Sequence, residues 1–230
     1  MKKIGLIGGM SWESSTEYYR LINKKVKAEL GGLHSAECIM YSVDFEEIEH
    51  YQKAGEWNKA GSRLAEAASS LERAGADFIV LCTNTMHKVI ELIEAEVNMP
   101  ILHIAEATAT ELKKFNIRKV GLLGTSYTME QDFYISKIEE SEIQVVTPSQ
   151  SKRNKINEII FNELCLGEIR VEAREYFKKA IEELAENGAE GIILGCTEIG
   201  QLIKQKDCML PIFDTTIIHA TESVNWALKK

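Results

Sequence analysis

Cys196 closes an apolar run, Gly191-Ile-Ile-Leu-Gly195, and is followed at once by Thr197 and Glu198. A short run without polar alternation reads as a strand buried on both faces, and the Thr-Glu step reads as the opening of a helix. The chain thus delivers one thiol to a strand end, where it can serve as a base if its pKa falls. Backbone N–H groups at a helix start favour both that fall and the binding of a carboxylate. A buried cysteine more often only packs. The chemical reading gains weight because the pattern occurs twice. Gly75-Ala-Asp-Phe-Ile-Val-Leu-Cys82 leads into Thr83-Asn84-Thr85 as Gly188-Ala-Glu-Gly-Ile-Ile-Leu-Gly195 leads into Cys196-Thr197-Glu198, an offset of 188 − 75 = 113. The pairing sets Thr83 against Cys196 (196 − 83 = 113). Cys82 comes one residue early, and adjacent residues of a strand point to opposite faces, so it reads as a packed core thiol.

The elements that must position these groups repeat as well. Lys3-Ile-Gly-Leu-Ile-Gly8 corresponds to Lys119-Val-Gly-Leu-Leu-Gly124 (119 − 3 = 116), and Met99-Pro100-Ile-Leu to Leu210-Pro211-Ile-Phe (210 − 99 = 111). Three matches in one order indicate an internal duplication. Ser14 to Glu17 forms a capping box opening a helix that Gly31-Gly32 stops near Leu30, and Thr128 to Gln131 opens its counterpart to about Glu140. Helical spacing of Leu64, Ala67, Ala68 and Leu71, and of Phe177, Ala180, Ile181 and Leu184, places a helix before each repeated glycine and strand. Strands at 37–43 and 143–147 complete a βαβαβαβ order in each half. The fold class is therefore α/β, with two pseudosymmetric, doubly wound parallel-sheet halves of flavodoxin-like type and the site in the cleft between them. Residues 1–99 with 211–230 form the first half and 100–210 the second. Asp44 to Trp57 and Pro148 to Gly167 break the rhythm at equivalent places and read as irregular walls of one site.

Composition narrows the function. The chain has 230 residues, 45% of them hydrophobic, and a net charge of −8. That charge, without a dense basic tract, argues against nucleic acid as a partner. No apolar run is long enough to span a membrane, and the N-terminus lacks a signal-peptide pattern, so a cytoplasmic location is expected. Five cysteines and five histidines fall in no metal-binding spacing. No metal is expected. Gly5, Gly8 and Gly9 do not make a dinucleotide fingerprint, and no lysine is marked for a Schiff base. Lys24 and Lys25 read as a solvated helix face. Trp12, Trp57 and Trp226 read as packing residues, and His87 as a partner for a neighbouring loop.

Ligands of doubly wound sheets sit beyond the carboxyl ends of the strands. Those ends carry Gly8-Gly9-Met10-Ser11, Thr83-Asn84-Thr85, Gly124-Thr125-Ser126 and Cys196-Thr197-Glu198. With Thr83-Asn84-Thr85-Met-His87 in one half and Gly195-Cys196-Thr197-Glu198 in the other, nearly the whole chain resembles the cofactor-independent aspartate/glutamate racemase family. Gly8-Gly9-Met10-Ser11 resembles its aspartate racemase branch. The resemblance implies a pseudosymmetric enzyme that needs no cofactor and acts on a small amino acid by Cα proton transfer between two cysteines. This chain departs from the pattern at Thr83, where the family has the first cysteine. Cys196 and Thr83 are thus the expected catalytic pair, with Cys196 serving the L face and a rate bias toward it. Met10, Ser11, Gln52, Asn84, Thr85, Thr125 and Thr197 are the expected substrate-binding residues, Gln52 as a neutral replacement for a basic group on the side-chain carboxylate. A one-cysteine decarboxylase or cis-trans isomerase, a binding protein without turnover, and a homodimeric assembly all remain open at this point.

Overall fold

The computed structural model describes residues 1–229, and the chain divides into two compact units. Met1–His103 and residues 219–229 form the first, and Ile104–Ile218 the second. The first unit runs β1 (Ile4–Gly8), α1 (Trp12–Leu30), β2 (Cys38–Ser42), α2 (Phe45–Ala54), α3 (Trp57–Arg73), β3 (Phe78–Leu81), α4 (Ile90–Glu94) and β4 (Ile101–Leu102). The second runs α5 (Ile104–Lys114), β5 (Lys119–Gly124), α6 (Ser126–Glu130), α7 (Asp132–Glu139), β6 (Gln144–Val146), α8 (Gln150–Asn162), α9 (Val171–Glu186), β7 (Gly191–Gly195), α10 (Ile199–Leu202) and β8 (Ile212–Asp214). Helix α11 (Thr215–Leu228) begins in the second unit and ends in the first.

Each unit holds a four-stranded parallel sheet, ordered β2-β1-β3-β4 in one and β6-β5-β7-β8 in the other. The duplicated α/β architecture read from the sequence is therefore present. Strands β1, β3 and β7 are buried at every residue, which explains their lack of polar alternation. In the first unit Ile79 and Leu81 pack with Leu64, Ala67, Ala68 and Leu71 of α3. Phe78, Val80 and Cys82 pack on the other face with Tyr18, Ile22 and Val26 of α1 and Val224 of α11. Cys82 is thus a core residue on the face that its strand parity requires, and burial pushes its thiol pKa up.

Several sequence expectations are corrected in detail. The stretches around Asp44 to Trp57 and Pro148 to Gly167 are largely helical, as α2 and α8; the Asp44 side chain caps α2 by accepting from Glu46 N. Helix α1 starts before the expected capping box, because Ser11 is its N-cap and accepts from Ser14 N. Its counterpart is capped by Thr125, which accepts from Thr128 N, and it breaks at Gln131, where extended backbone separates α6 from α7. The compact units divide at 103/104 and 218/219, a few residues beyond the Pro-Ile pairs. The reason is that the Pro-Ile pairs open short strands: β4 pairs with β3 and β8 with β7, so each completes the sheet it follows. Trp226 packs against Phe78 and Trp57 lies under Lys88, but Trp12 is mostly exposed rather than packed. Lys25 pairs with Glu29 on the α1 surface, and Lys24 is exposed.

The turn after β1 depends on one glycine. Gly9 has φ +96°, and an added Cβ would overlap the Val43 carbonyl oxygen and lie 2.7 Å from the Val43 nitrogen. No rotamer relieves a clash with backbone. Gly9→Ala is expected to destabilise the protein by about 3 kcal/mol or more, read as a fall in the urea unfolding midpoint.

Candidate functional site

The residues selected from the sequence are all buried: Met10, Ser11, Gln52, Thr83, Asn84 and Thr85 in the first unit, and Thr125, Cys196 and Thr197 in the second. In the first unit Ser11 and Ser14 share a hydroxyl contact of 3.2 Å at the start of α1, beyond the end of β1. In the second, Thr125 and Thr128 share one of 3.2 Å at the start of α6, beyond β5. The two pairs repeat at 125 − 11 = 114 and 128 − 14 = 114, so the duplication extends to the caps. Gln52 lies on the buried side of α2 and donates from Nε2 to Met86 Sδ at 3.0 Å.

Beyond β7 the chain turns through Cys196, Thr197 and Glu198, with Ile199 N donating to Cys196 O at 3.1 Å. Cys196 Sγ donates to Glu198 Oε2 at 3.0 Å, and Thr197 Oγ1 donates to the same oxygen at 2.7 Å. Glu198 is itself 3% exposed. A buried carboxylate touching the thiol was not chosen from the sequence, although the Cys-x-Glu spacing within the strand-end turn was its signal. Thr197 directs its hydroxyl proton at Glu198, which differs from its expected use as a donor to substrate.

The expected fall of the Cys196 pKa is also corrected. Burial, and then the charge of Glu198, push it well above the usual thiol value. Helix α10 has only four residues, too short to offset those two effects. The resting group is a thiol whose proton already lies on the line to a carboxylate.

Around Thr83 the environment is imidazole-rich. His87 Nδ1 donates to Thr83 O at 2.9 Å, so the histidine bonds its own loop rather than a neighbouring one. Its ring centroid lies 4.6 Å from that of His103 and 6.0 Å from that of His219. His219 Nε2 donates to Leu102 O at 2.9 Å, which leaves Nδ1 to accept from the Tyr18 hydroxyl, also at 2.9 Å. Burial drives both His87 and His219 down, the latter to about 4. Unfolded histidine takes up a proton near pH 6.5. Between pH 6.5 and about 4 the unfolded chain therefore binds more protons at His219 than the native protein, and stability falls as pH drops through that window. The loss amounts to about 3 kcal/mol for His219. Calorimetric Tm values should fall as the pH drops from about 6.5 toward about 4. His219→Gln, which keeps a donor for Leu102, should flatten part of that slope.

Among the described residues, no cluster of three or more His, Cys, Asp or Glu side chains is arranged to hold a metal ion. No helix among them is long and apolar enough to cross a membrane.

Comparison with known proteins places these features in context. The model of the family described as Asp/Glu/hydantoin racemase matches residues 7–223. A Yersinia pestis crystal structure provisionally assigned as an Asp/Glu racemase is 53% identical, with a TM-score of 0.93 and 100% of each chain covered. An aspartate racemase homologue from Pyrococcus horikoshii OT3 is 38% identical, with a TM-score of 0.84 and again 100% of each chain covered. The broad specificity amino-acid racemase RacX of Bacillus subtilis is 26% identical over 162 residues, 70% of each chain.

Proposed function

Since the chain belongs to the Asp/Glu/hydantoin racemase family, we propose that it is an amino-acid racemase of aspartate, glutamate or both, working by Cα proton transfer through Cys196 without a cofactor. The observation that carries this reading is the Cys196–Glu198 contact at a strand end, inside the chain's family-matching region. A thiol acts as a base only after losing its own proton, and the carboxylate in contact with it can accept that proton. Arrival of the substrate α-ammonium group adds positive charge near the sulfur and favours the thiolate. Cys196 Sγ then takes the Cα proton of the L-amino acid, with the electron pair delocalised into the α-carboxylate.

Racemisation also requires a proton on the opposite face of Cα. Thr83 is the residue that the internal repeat pairs with Cys196, and it donates there directly or through water. Asn84, Thr85 and Thr125 supply hydrogen bonds to the α-carboxylate as its charge grows. Met10, Ser11 and Gln52 bear on the substrate side chain. Thr197 helps indirectly, by holding Glu198 against the thiol.

Chiral chromatography of L-aspartate or L-glutamate incubated with the protein tests the activity. At least one of them should drift toward equal amounts of L and D, because the free enantiomers have equal energy. The rate should be unchanged after exposure to chelator and, separately, to hydroxylamine. Release of carbon dioxide without a D product would identify a decarboxylase instead, and ligand-induced stabilisation without turnover would identify a binding protein.

A further inference from the structure

We propose that His87 is a positioning residue for the racemisation site: its imidazole holds the Thr83 carbonyl and thereby aims the Asn84 backbone N–H. The inference rests on the proposed roles of Thr83 and Asn84, but the geometry behind it lies wholly within the first unit.

The segment after β3 does not begin as a regular α-helix. Thr85–Val89 forms a 3-10 turn, and His87 N donates to Asn84 O at 3.1 Å. In an α-helix that N–H would have reached Thr83 O four residues back. The tighter turn diverts it, so the Thr83 carbonyl receives the His87 side chain instead, Nδ1 to oxygen at 2.9 Å. Because the acceptor is a carbonyl, Nδ1 must carry the hydrogen.

The ring that makes this bond is fixed from behind. His87 is 2% exposed and lies against His103 and His219. His219 is pinned in turn by Tyr18 of α1 and by Leu102 O at the end of β4. Two segments, the end of β4 and α11, thus back the His87 imidazole. The consequence follows from peptide planarity. In a trans peptide the C=O of one residue and the N–H of the next point in opposite directions. With the Thr83 carbonyl held on the buried imidazole, the Asn84 N–H is directed away from it. The same restraint sets the backbone from which the Thr83 hydroxyl projects. An error of about 1 Å in such a group costs on the order of 100-fold in rate.

Two variants and one spectroscopic measurement test the proposal. His87→Leu removes the donor, whereas His87→Asn places an amide N–H near the position of Nδ1. Both are checked for folding by circular dichroism and calorimetry. Conversion of L-aspartate or L-glutamate to the D form should fall at least about tenfold in His87→Leu and recover to within about threefold of the unmodified rate in His87→Asn. Nitrogen-15 spectra of the unmodified protein at pH 7.5 should show His87 protonated at Nδ1 and bare at Nε2. The Asn84 amide resonance should shift in His87→Leu and return in His87→Asn. Equal impairment of the two folded variants, or an Nε2-protonated His87, would overturn the proposal. Absence of turnover in the unmodified protein would instead sink the racemase reading, while the His87 tautomer and the Asn84 amide shift would still decide whether His87 holds this peptide.

Discussion

Cys196→Ser is expected to fold, to bind amino acid, and to lose turnover by about 1,000-fold or more. Serine keeps nearly the same shape and can still donate to Glu198, so the contact seen at 3.0 Å can persist. What changes is acidity: the hydroxyl is a far weaker acid than the thiol, and Glu198 cannot make it a useful base. General acid–base groups contribute about 100- to 10,000-fold, which sets the expected range. Cys82→Ser is the necessary control. Its side chain lies among Phe78, Val80 and Tyr18, so the substitution should cost stability, about 1–3 kcal/mol for a poorly bonded buried hydroxyl, and leave most turnover in the folded fraction. Stopped-time assays alongside urea melts separate the two effects. Equal loss of turnover in both folded variants would refute the assignment of Cys196.

Thr83→Cys should accelerate full inversion, by about tenfold or more. In the proposed mechanism the two faces are chemically unequal, since a thiol with a carboxylate partner serves one and a hydroxyl the other. Each 1.4 kcal/mol of barrier on the hydroxyl side slows that step about tenfold. Equilibrium between L and D cannot change, so a slow D reaction implies an equally limited net L-to-D turnover. Exchange is not limited in this way. An L-substrate can lose its proton to Cys196 repeatedly and regain a solvent deuteron on the same face. Placing a thiol at position 83 should therefore raise inversion more than it raises L-side exchange. A Thr83→Cys protein with unchanged inversion would show that Thr83 is not the limiting partner.

The architecture was legible because glycine-ended apolar runs recur at nearly constant offset, a signal carried by backbone packing and independent of ligands. Helices α2 and α8 were hidden by composition. Only Ile48 and Gln52 of α2 are buried, and the buried residues of α8 fall in its second half. Strand β4 has two residues, too few for any periodic signal. The register pairs Thr83 with Cys196, but the surroundings of the two were not legible. The sign of the Cys196 shift depends on burial and on where the Glu198 carboxylate turns, which spacing alone does not fix. His87, His103 and His219 meet only after α11 returns to the first unit, and nothing local to any of them announces the cluster.

Proton NMR of each enantiomer of aspartate and glutamate with the unmodified protein in deuterated water tests the central claim most directly. The account predicts loss of the Cα proton signal from the L form of at least one of them. That loss should be faster than the formation of D product and faster than exchange of the corresponding D form. Cys196→Ser should abolish it. Retention of the Cα proton in all four amino acids, or undiminished exchange in the folded Cys196→Ser protein, would contradict proton abstraction by Cys196.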